Sequence, residues 1–258
     1  MAQIRIDEGH EFRRVVHDLR RRHVTVRRIE RVAAWMLRVT FAGDDLADFA
    51  SASFDDHVKM FFPDANGNIL ARDYTPRRFD AMTRELDIEF TLHGDGPATR
   101  WSETLKPGDV AEIGGPRSSH VIPTDFDWYV LIADETGMPA LARRLEELTQ
   151  NVPVFVIGMV DSEDDCVPLA VGGRTHVTWI YRAKGDIMAH LIDAISRLQP
   201  PIGDGHAWAA CESSTARVLR DVLSTRLRLR KAWVKTAGYW RRGEASTHEV
   251  YAATSPEP

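Results

Sequence analysis

The chain has 258 residues, 43% of them hydrophobic, which suffices for one large domain or two of ordinary size and is not the composition of a disordered protein. Its 33 basic and 38 acidic side chains leave a formal net charge of −5, which argues against a dedicated nucleic-acid binder, whose domain is strongly basic overall. Two cysteines, Cys166 and Cys211, are too few for a disulfide framework or, unaided, for a zinc or iron–sulfur site, and both are expected reduced and buried.

Met1 to His23 is polar and arginine-rich, without the apolar run of a signal peptide, and the sequence holds no apolar stretch of membrane length. A cytoplasmic protein with no stable membrane insertion is expected. Residues 10–22 read as a short charged helix with Arg20-Arg21-Arg22 on its solvated face. From Val24 the pattern turns to β, with strands predicted at Val24–Ile29, Met36–Phe41, His57–Phe62, Leu86–Leu92 and Val110–Ile113. The alternation Leu86-Asp87-Ile88-Glu89-Phe90-Thr91-Leu92 predicts one buried and one wet face. Short strands with turn signals at Gly43, Asn66-Gly67 and Pro107-Gly108, and no long helix between them, indicate an antiparallel barrel or sandwich.

Within this region lies Arg72-Asp73-Tyr74-Thr75-Pro76-Arg77. On an extended segment Arg72 and Tyr74 point to one side and Asp73 and Thr75 to the other. Pro76 is expected to end the ladder and leave Arg77 on a bend, facing a diphosphate. A ring, a hydroxyl and two guanidinium groups in six residues suit a large, flat, phosphorylated ligand such as a flavin dinucleotide; taken alone they equally suit a strand end with surface arginines. Two further strand ends carry small-residue loops: His93 to Trp101, with a short helix predicted from Pro97 whose N–H groups could receive a phosphate, and Gly114 to Ser119.

After Pro123 apolar strands alternate with amphipathic helices. Strands are predicted at Trp128–Ala133, Val154–Val160, His176–Tyr181, His206–Cys211 and Trp233–Ala237, all read as buried, with helices at Pro139–Leu148, 186–198 and 214–228. This order specifies a parallel sheet covered by helices, with its ligand crevice at the carboxyl ends of the strands, where Thr136, Gly137 and Cys211 to Ser214 fall. No G-x-G-x-x-G fingerprint is present, and the ten histidines show neither H-x-x-x-H nor H-E-x-x-H spacing. Asp161 to Asp165 reads as a solvated acidic loop. From Val222 to Gly243 there are seven cations and no acid, ending in Gly238-Tyr239-Trp240-Arg241-Arg242-Gly243, a positive rim suited to an anion.

Taken together and in order, His57-Val58-Lys59, Arg72 to Arg77, His93 to Trp101, Gly114 to Ser119, Asp134 to Pro139 and Gly238 to Gly243 resemble the siderophore-interacting protein family, ferric siderophore reductases of the ferredoxin reductase superfamily. The resemblance implies two domains: a flavin-binding antiparallel β-barrel over residues 1–123 and a parallel-sheet α/β nucleotide-binding domain over residues 124–258. It implies FAD as cofactor and NADH or NADPH as donor, with a ferredoxin as an alternative donor. Carried over residue by residue, Arg72, Tyr74 and Thr75 match the segment around the isoalloxazine and ribityl, and Arg77 the pyrophosphate arginine. His93, Gly96, Pro97, Ala98 and Trp101 match the phosphate-side loop, Gly115, Arg117 and Ser119 the adenylate end, and Thr136, Gly137 and Pro139 the nicotinamide-side loop. Tyr239 and Trp240 fall to the cofactor as well.

Lys59, Lys235, Arg241 and Arg242 are candidates for contacting an anionic ferric siderophore. No catalytic triad and no protein-bound iron are expected, because the redox chemistry belongs to the flavin, and ferric iron held by hard oxygen donors is held more weakly once reduced. A monomer is favoured. Two alternatives stand beside this reading: a general flavin- or ferredoxin-linked oxidoreductase, and a non-catalytic flavin or siderophore carrier.

Overall fold

In a computed structural model, residues 2–92, 94, 96–149, 151–243 and 249–251 are described. They divide into two compact units, residues 1–123 with 142–144, and residues 124–141 with 145–258.

The first unit is almost all antiparallel β. Strands β1 (Ala2–Asp7) and β2 (His10–Val16) form a hairpin closed by Glu8 and Gly9, both at positive φ, and β10 (Ser118–Val121) pairs with the other side of β2. The helix predicted over residues 10–22 is therefore a strand followed by the start of another. Its arginines, leucine and glutamate favour a helix locally, but the two-residue turn and a ladder on both edges of β2 override that preference.

A second, seven-stranded sheet contains β3 (Arg21–Ala33), β4 (Met36–Ala42), β5 (Val58–Pro63), β6 (Ile69–Tyr74), β7 (Pro76–Asp80), β8 (Glu85–Thr91) and β9 (Val110–Gly114), in the order β6-β5-β9-β3-β4-β8-β7. Its two edge strands, β6 and β7, are joined through the single residue Thr75. A flat sheet would hold those edges roughly 29 Å apart at about 4.8 Å per strand. Two Cα steps reach at most about 7.6 Å. The sheet must therefore curl on itself, giving a half-barrel open between β6 and β7 at the hexapeptide. Val39, Phe41, Val58, Met60, Phe62, Leu86, Ile88 and Ile113 fill it.

The alternation in β8 does not produce a wet face. Asp87 and Glu89 are only 6% and 5% exposed. Thr40 donates to Asp87 through its hydroxyl, and Arg38 Nε donates to Glu89 Oε1 at 3.0 Å, so both carboxylates are buried with partners. A helix, α1 (Pro97–Thr104), packs against this sheet through Ala98 and Trp101.

The second unit is a parallel sheet of β11 (Trp128–Ala133), β12 (Val154–Val160), β13 (Thr175–Tyr181), β14 (Gly205–Glu212) and β15 (Val234–Trp240), in the order β13-β12-β11-β14-β15, extended by a short antiparallel β16 (Glu249–Tyr251). Helices α2 (Met138–Glu147), α3 (Ile187–Ser196) and α4 (Ser213–Arg226) complete it, and Leu191, Ile195, Leu219 and Leu223 pack on the buried strands. The strands match the expected spans to within a residue or a few at each end. β13 differs in burial: it forms the sheet's edge, and His176, Val177 and Thr178 are exposed rather than buried. Cys211 is buried, while Cys166 is only half-buried, and both are free thiols. Among the described residues no helix is long and apolar enough to cross a membrane, and no cluster of His, Cys, Asp or Glu is placed to hold a metal.

Candidate functional site

On β6, Arg72 lies opposite Met60 and Tyr74 opposite Val58, both fully buried, so Arg72 and Tyr74 share the core-side face as alternation dictates. The Tyr74 ring packs on Phe90 with centroids 4.5 Å apart, and burial pushes its phenol pKa up. Asp73 faces the other way and accepts from Lys59 Nζ at 2.8 Å, which places Lys59 on the sheet face opposite to Tyr74. Arg72 Nη1 donates to the Ala71 carbonyl at 2.8 Å.

Thr75, buried, breaks the ladder, and Pro76 opens β7 opposite Ile88. Arg77 occupies the irregularity between Pro76 and Arg78, where a bulge re-aims the side chain. It is 9% exposed, with Nε 3.7 Å from Glu89 Oε1, so Glu89 serves both Arg77 and Arg38.

Helix α1 begins with Pro97 at its first position, preceded by Gly96, and no side chain caps it and no acid lies in its first turn. Trp101, one turn on, stacks on Phe62 at 5.1 Å and meets the edge of Phe90 at 5.8 Å. Phe90 thus touches both Tyr74 and Trp101 and draws the hexapeptide and the α1 segment together. His93 lies outside the described residues.

The third segment is placed differently. Gly115 sits at φ +91° with its carbonyl accepting from Arg22 Nη1 at 3.1 Å, and Arg117 is exposed. The Ser119 hydroxyl is fully buried; it donates to Asp56 at 2.6 Å, accepts from the Ala52 N–H at 3.1 Å and lies 2.7 Å from His17 Nε2. Burial raises the Asp56 pKa against these bonds.

In the α/β unit one carboxylate organises the strand ends. Asp134 follows β11 and is 2% exposed. Its Oδ1 accepts from the Thr136 hydroxyl at 2.6 Å, the Thr136 N–H at 2.9 Å and the Gly137 N–H at 3.4 Å. Its Oδ2 accepts from the Trp240 indole at 2.7 Å and the Glu212 N–H at 3.1 Å. The ends of β11, β14 and β15 and the start of α2 are thereby tied to one group. Asp134 opens the Asp134 to Pro139 segment but is not among the site residues carried over from it; its local signal is the Asp-x-Thr-Gly order after an apolar run, the pattern of an Asx turn.

A Cβ on Gly137 would lie 2.5 Å from the Ala210 carbonyl oxygen, so only glycine lets α2 start this close to β14. Pro139 is buried in the first turn of α2. Burial acts to raise the Glu212 carboxyl, but Ser214 and the N–H groups of Thr215, Ser214 and Arg242 outweigh it and hold its pKa below the usual value. Tyr239 meets Trp208 edge-on at 6.5 Å; Lys235 and Arg241 are half-buried, and Arg242 is exposed.

A sequence profile described as "Siderophore-interacting FAD-binding domain" matches residues 25–71 and 66–120, and one described as "Siderophore-interacting protein" matches residues 126–243. The NADPH-dependent ferric-chelate reductase of Escherichia coli K12 is 33% identical over 251 residues, covering 88% of this chain and 95% of the relative. The ferric vibriobactin reductase ViuB of Vibrio cholerae is 27% identical over 237 residues, covering 83% and 88%. A siderophore utilization protein from T. fusca superposes with a TM-score of 0.84 at 31% identity, over 96% of this chain and 98% of that one. With profiles spanning both halves and a relative at this identity along nearly its whole length, the chain belongs to the siderophore-interacting protein family.

Proposed function

We propose that the chain is an FAD-dependent ferric siderophore reductase, in which electrons pass from NADH or NADPH to the iron of a bound siderophore and release Fe(II). The observation that carries this reading is the hexapeptide at the open edge of the curled sheet, inside the span matched by the FAD-binding profile. The described residues fit FAD. Tyr74 and Trp101 share Phe90, an uncapped helix start at Pro97 offers N–H groups to a phosphate, and Arg72 and Arg77 supply guanidinium groups.

FAD supplies the conversion of a two-electron donor into single-electron steps. Arg72, Tyr74 and Thr75 hold its ring end, Arg77 and the Gly96–Ala98 turn its diphosphate, and Gly115, Arg117 and Ser119 its adenylate end. Thr136, Gly137 and Pro139 receive the donor nucleotide, with Tyr239 and Trp240 at the end of β15. Lys59, Lys235, Arg241 and Arg242 attract the anionic chelate. Once reduced, the iron carries less charge and its hard oxygen donors hold it more weakly. The protein acts as a monomer in the cytoplasm, and a ferredoxin is the alternative electron donor.

The test is anaerobic trapping of Fe(II) from a panel of ferric siderophores, with each nicotinamide in turn and with free flavin as a competing acceptor. A faster rate with free flavin would move the reading to a general flavin reductase. A protein that cannot be loaded with FAD would refute it.

A further inference from the structure

A chain of hydrogen bonds within the first unit joins the hexapeptide to the Gly114 to Ser119 segment. Its first link is Arg143, in the 142–144 stretch that belongs to this unit. Arg143 Nη1 donates to the Pro76 carbonyl at 2.9 Å and to Ser51 Oγ at 2.8 Å, and Nη2 donates to the Ser51 carbonyl at 2.9 Å. Ser51 Oγ in turn donates to Asp56 Oδ2 at 2.9 Å. The same carboxylate oxygen accepts from the Ser119 hydroxyl at 2.6 Å and from the Ser53 N–H at 3.1 Å.

A serine hydroxyl has one proton to donate, and Ser51 and Ser119 both give theirs to Asp56. Ser51 therefore meets Arg143, and Ser119 meets the Ala52 N–H at 3.1 Å, through lone pairs. Every donor points toward one carboxylate that is 3% exposed, so the relay has a single proton arrangement and holds its two ends at a set spacing. Arg144 fixes the same loop from the next position: its guanidinium lies over the Phe54 ring at 4.9 Å, and its Nη2 donates to the Pro123 carbonyl at 2.6 Å. At one end, Pro76 has no N–H and the β7 ladder is irregular between Pro76 and Arg78, so Arg143 adds a hold on the turn that carries Thr75 and Arg77. At the other end the buried Ser119 anchors the Gly115 to Arg117 turn beside it.

We propose that Arg143 is a positioning residue for the flavin: through Ser51 and Asp56 it sets the spacing between the hexapeptide, at the ring and diphosphate end, and the Gly115 to Ser119 segment, at the adenylate end. This rests on the FAD reading above and deepens it. A dinucleotide that engages both segments gains from a spacing fixed in advance, whereas a half-ligand that engages one segment does not.

The measurement is calorimetric titration of the flavin-free full chain with FAD and with its two halves, FMN and AMP, on the unaltered protein and on Arg143→Gln, Arg143→Lys and Ser51→Ala. Arg143→Gln should weaken FAD at least tenfold and either half less than threefold. Arg143→Lys keeps the charge but not the fork, and a point charge does not serve the Pro76 carbonyl and both Ser51 oxygens together, so FAD should stay at least fivefold weaker. Ser51→Ala cuts the relay with a small change that preserves the fold, and it should weaken FAD three- to fivefold and the halves less than twofold; it decides the matter if Arg143→Gln does not fold. Unchanged FAD affinity in these variants, equal losses for FAD and its halves, or full recovery with lysine overturns the proposal and leaves the flavin reading standing. An unaltered chain that does not bind FAD removes the flavin reading itself, and the proposal with it.

Discussion

Replacing Asp134 by alanine should destabilise the α/β unit more than any single exposed change. The carboxylate takes five donors, three on the turn into α2 and two from β14 and β15. A buried donor left without an acceptor costs about 1–3 kcal/mol. Thr136, Glu212 and Trp240 are all half-buried and can turn in part to water, and the Gly137 amide, though buried, makes the longest of the five bonds, so the five losses together should cost about 3–5 kcal/mol. For a unit of this size that corresponds to a fall in Tm of about 10 °C. Differential scanning calorimetry and urea unfolding measure it directly. Trp240→Phe removes one donor and should cost about 1–2 kcal/mol, and the double variant should cost less than the sum, because both changes remove the same bond. A loss below about 1 kcal/mol for Asp134→Ala, or strict additivity with Trp240→Phe, would refute the view that this carboxylate ties the strand ends together.

Gly137→Ala places a Cβ 2.5 Å from the Ala210 carbonyl oxygen, and the shift that follows should cost about 2–3 kcal/mol in urea unfolding; a neutral result would mean that α2 moves freely against β14. Asp56 has a folded-state pKa raised by burial, so the folded protein holds its proton more tightly than the unfolded chain does. Stability from this group is therefore lost as pH climbs from the ordinary carboxylate value of about 3.9 through the raised one. The urea midpoint of the unaltered chain relative to Asp56→Asn should accordingly fall between pH 4 and pH 7, and a rise over that range would contradict the burial argument. Tyr74→Ala removes the ring packed on Phe90, and the purified protein should retain at least tenfold less FAD by its 450 nm absorbance; full retention would remove the hexapeptide from the flavin site.

What the sequence alone determined was what local pattern can carry. The run Trp128 to Ala133 is apolar at every position because a central parallel strand is covered on both faces, and a strand of that kind is legible without its neighbours. The two-part architecture was legible for the same reason. Partners were not. Asp87 and Glu89 alternate with apolar residues as wet positions do, and only the placement of Thr40, Arg38 and Arg77 makes them buried ones. β2 has the composition of a charged helix and becomes a strand because β1 and β10 offer it ladders, a long-range condition that no local window contains. The bond between Asp134 and Trp240 joins residues 106 positions apart, and the register of β15 against β14 decides it. Propensity and periodicity are properties of neighbours along the chain, whereas the burial of a charge and the meeting of a carboxylate with its donors depend on which strands lie side by side.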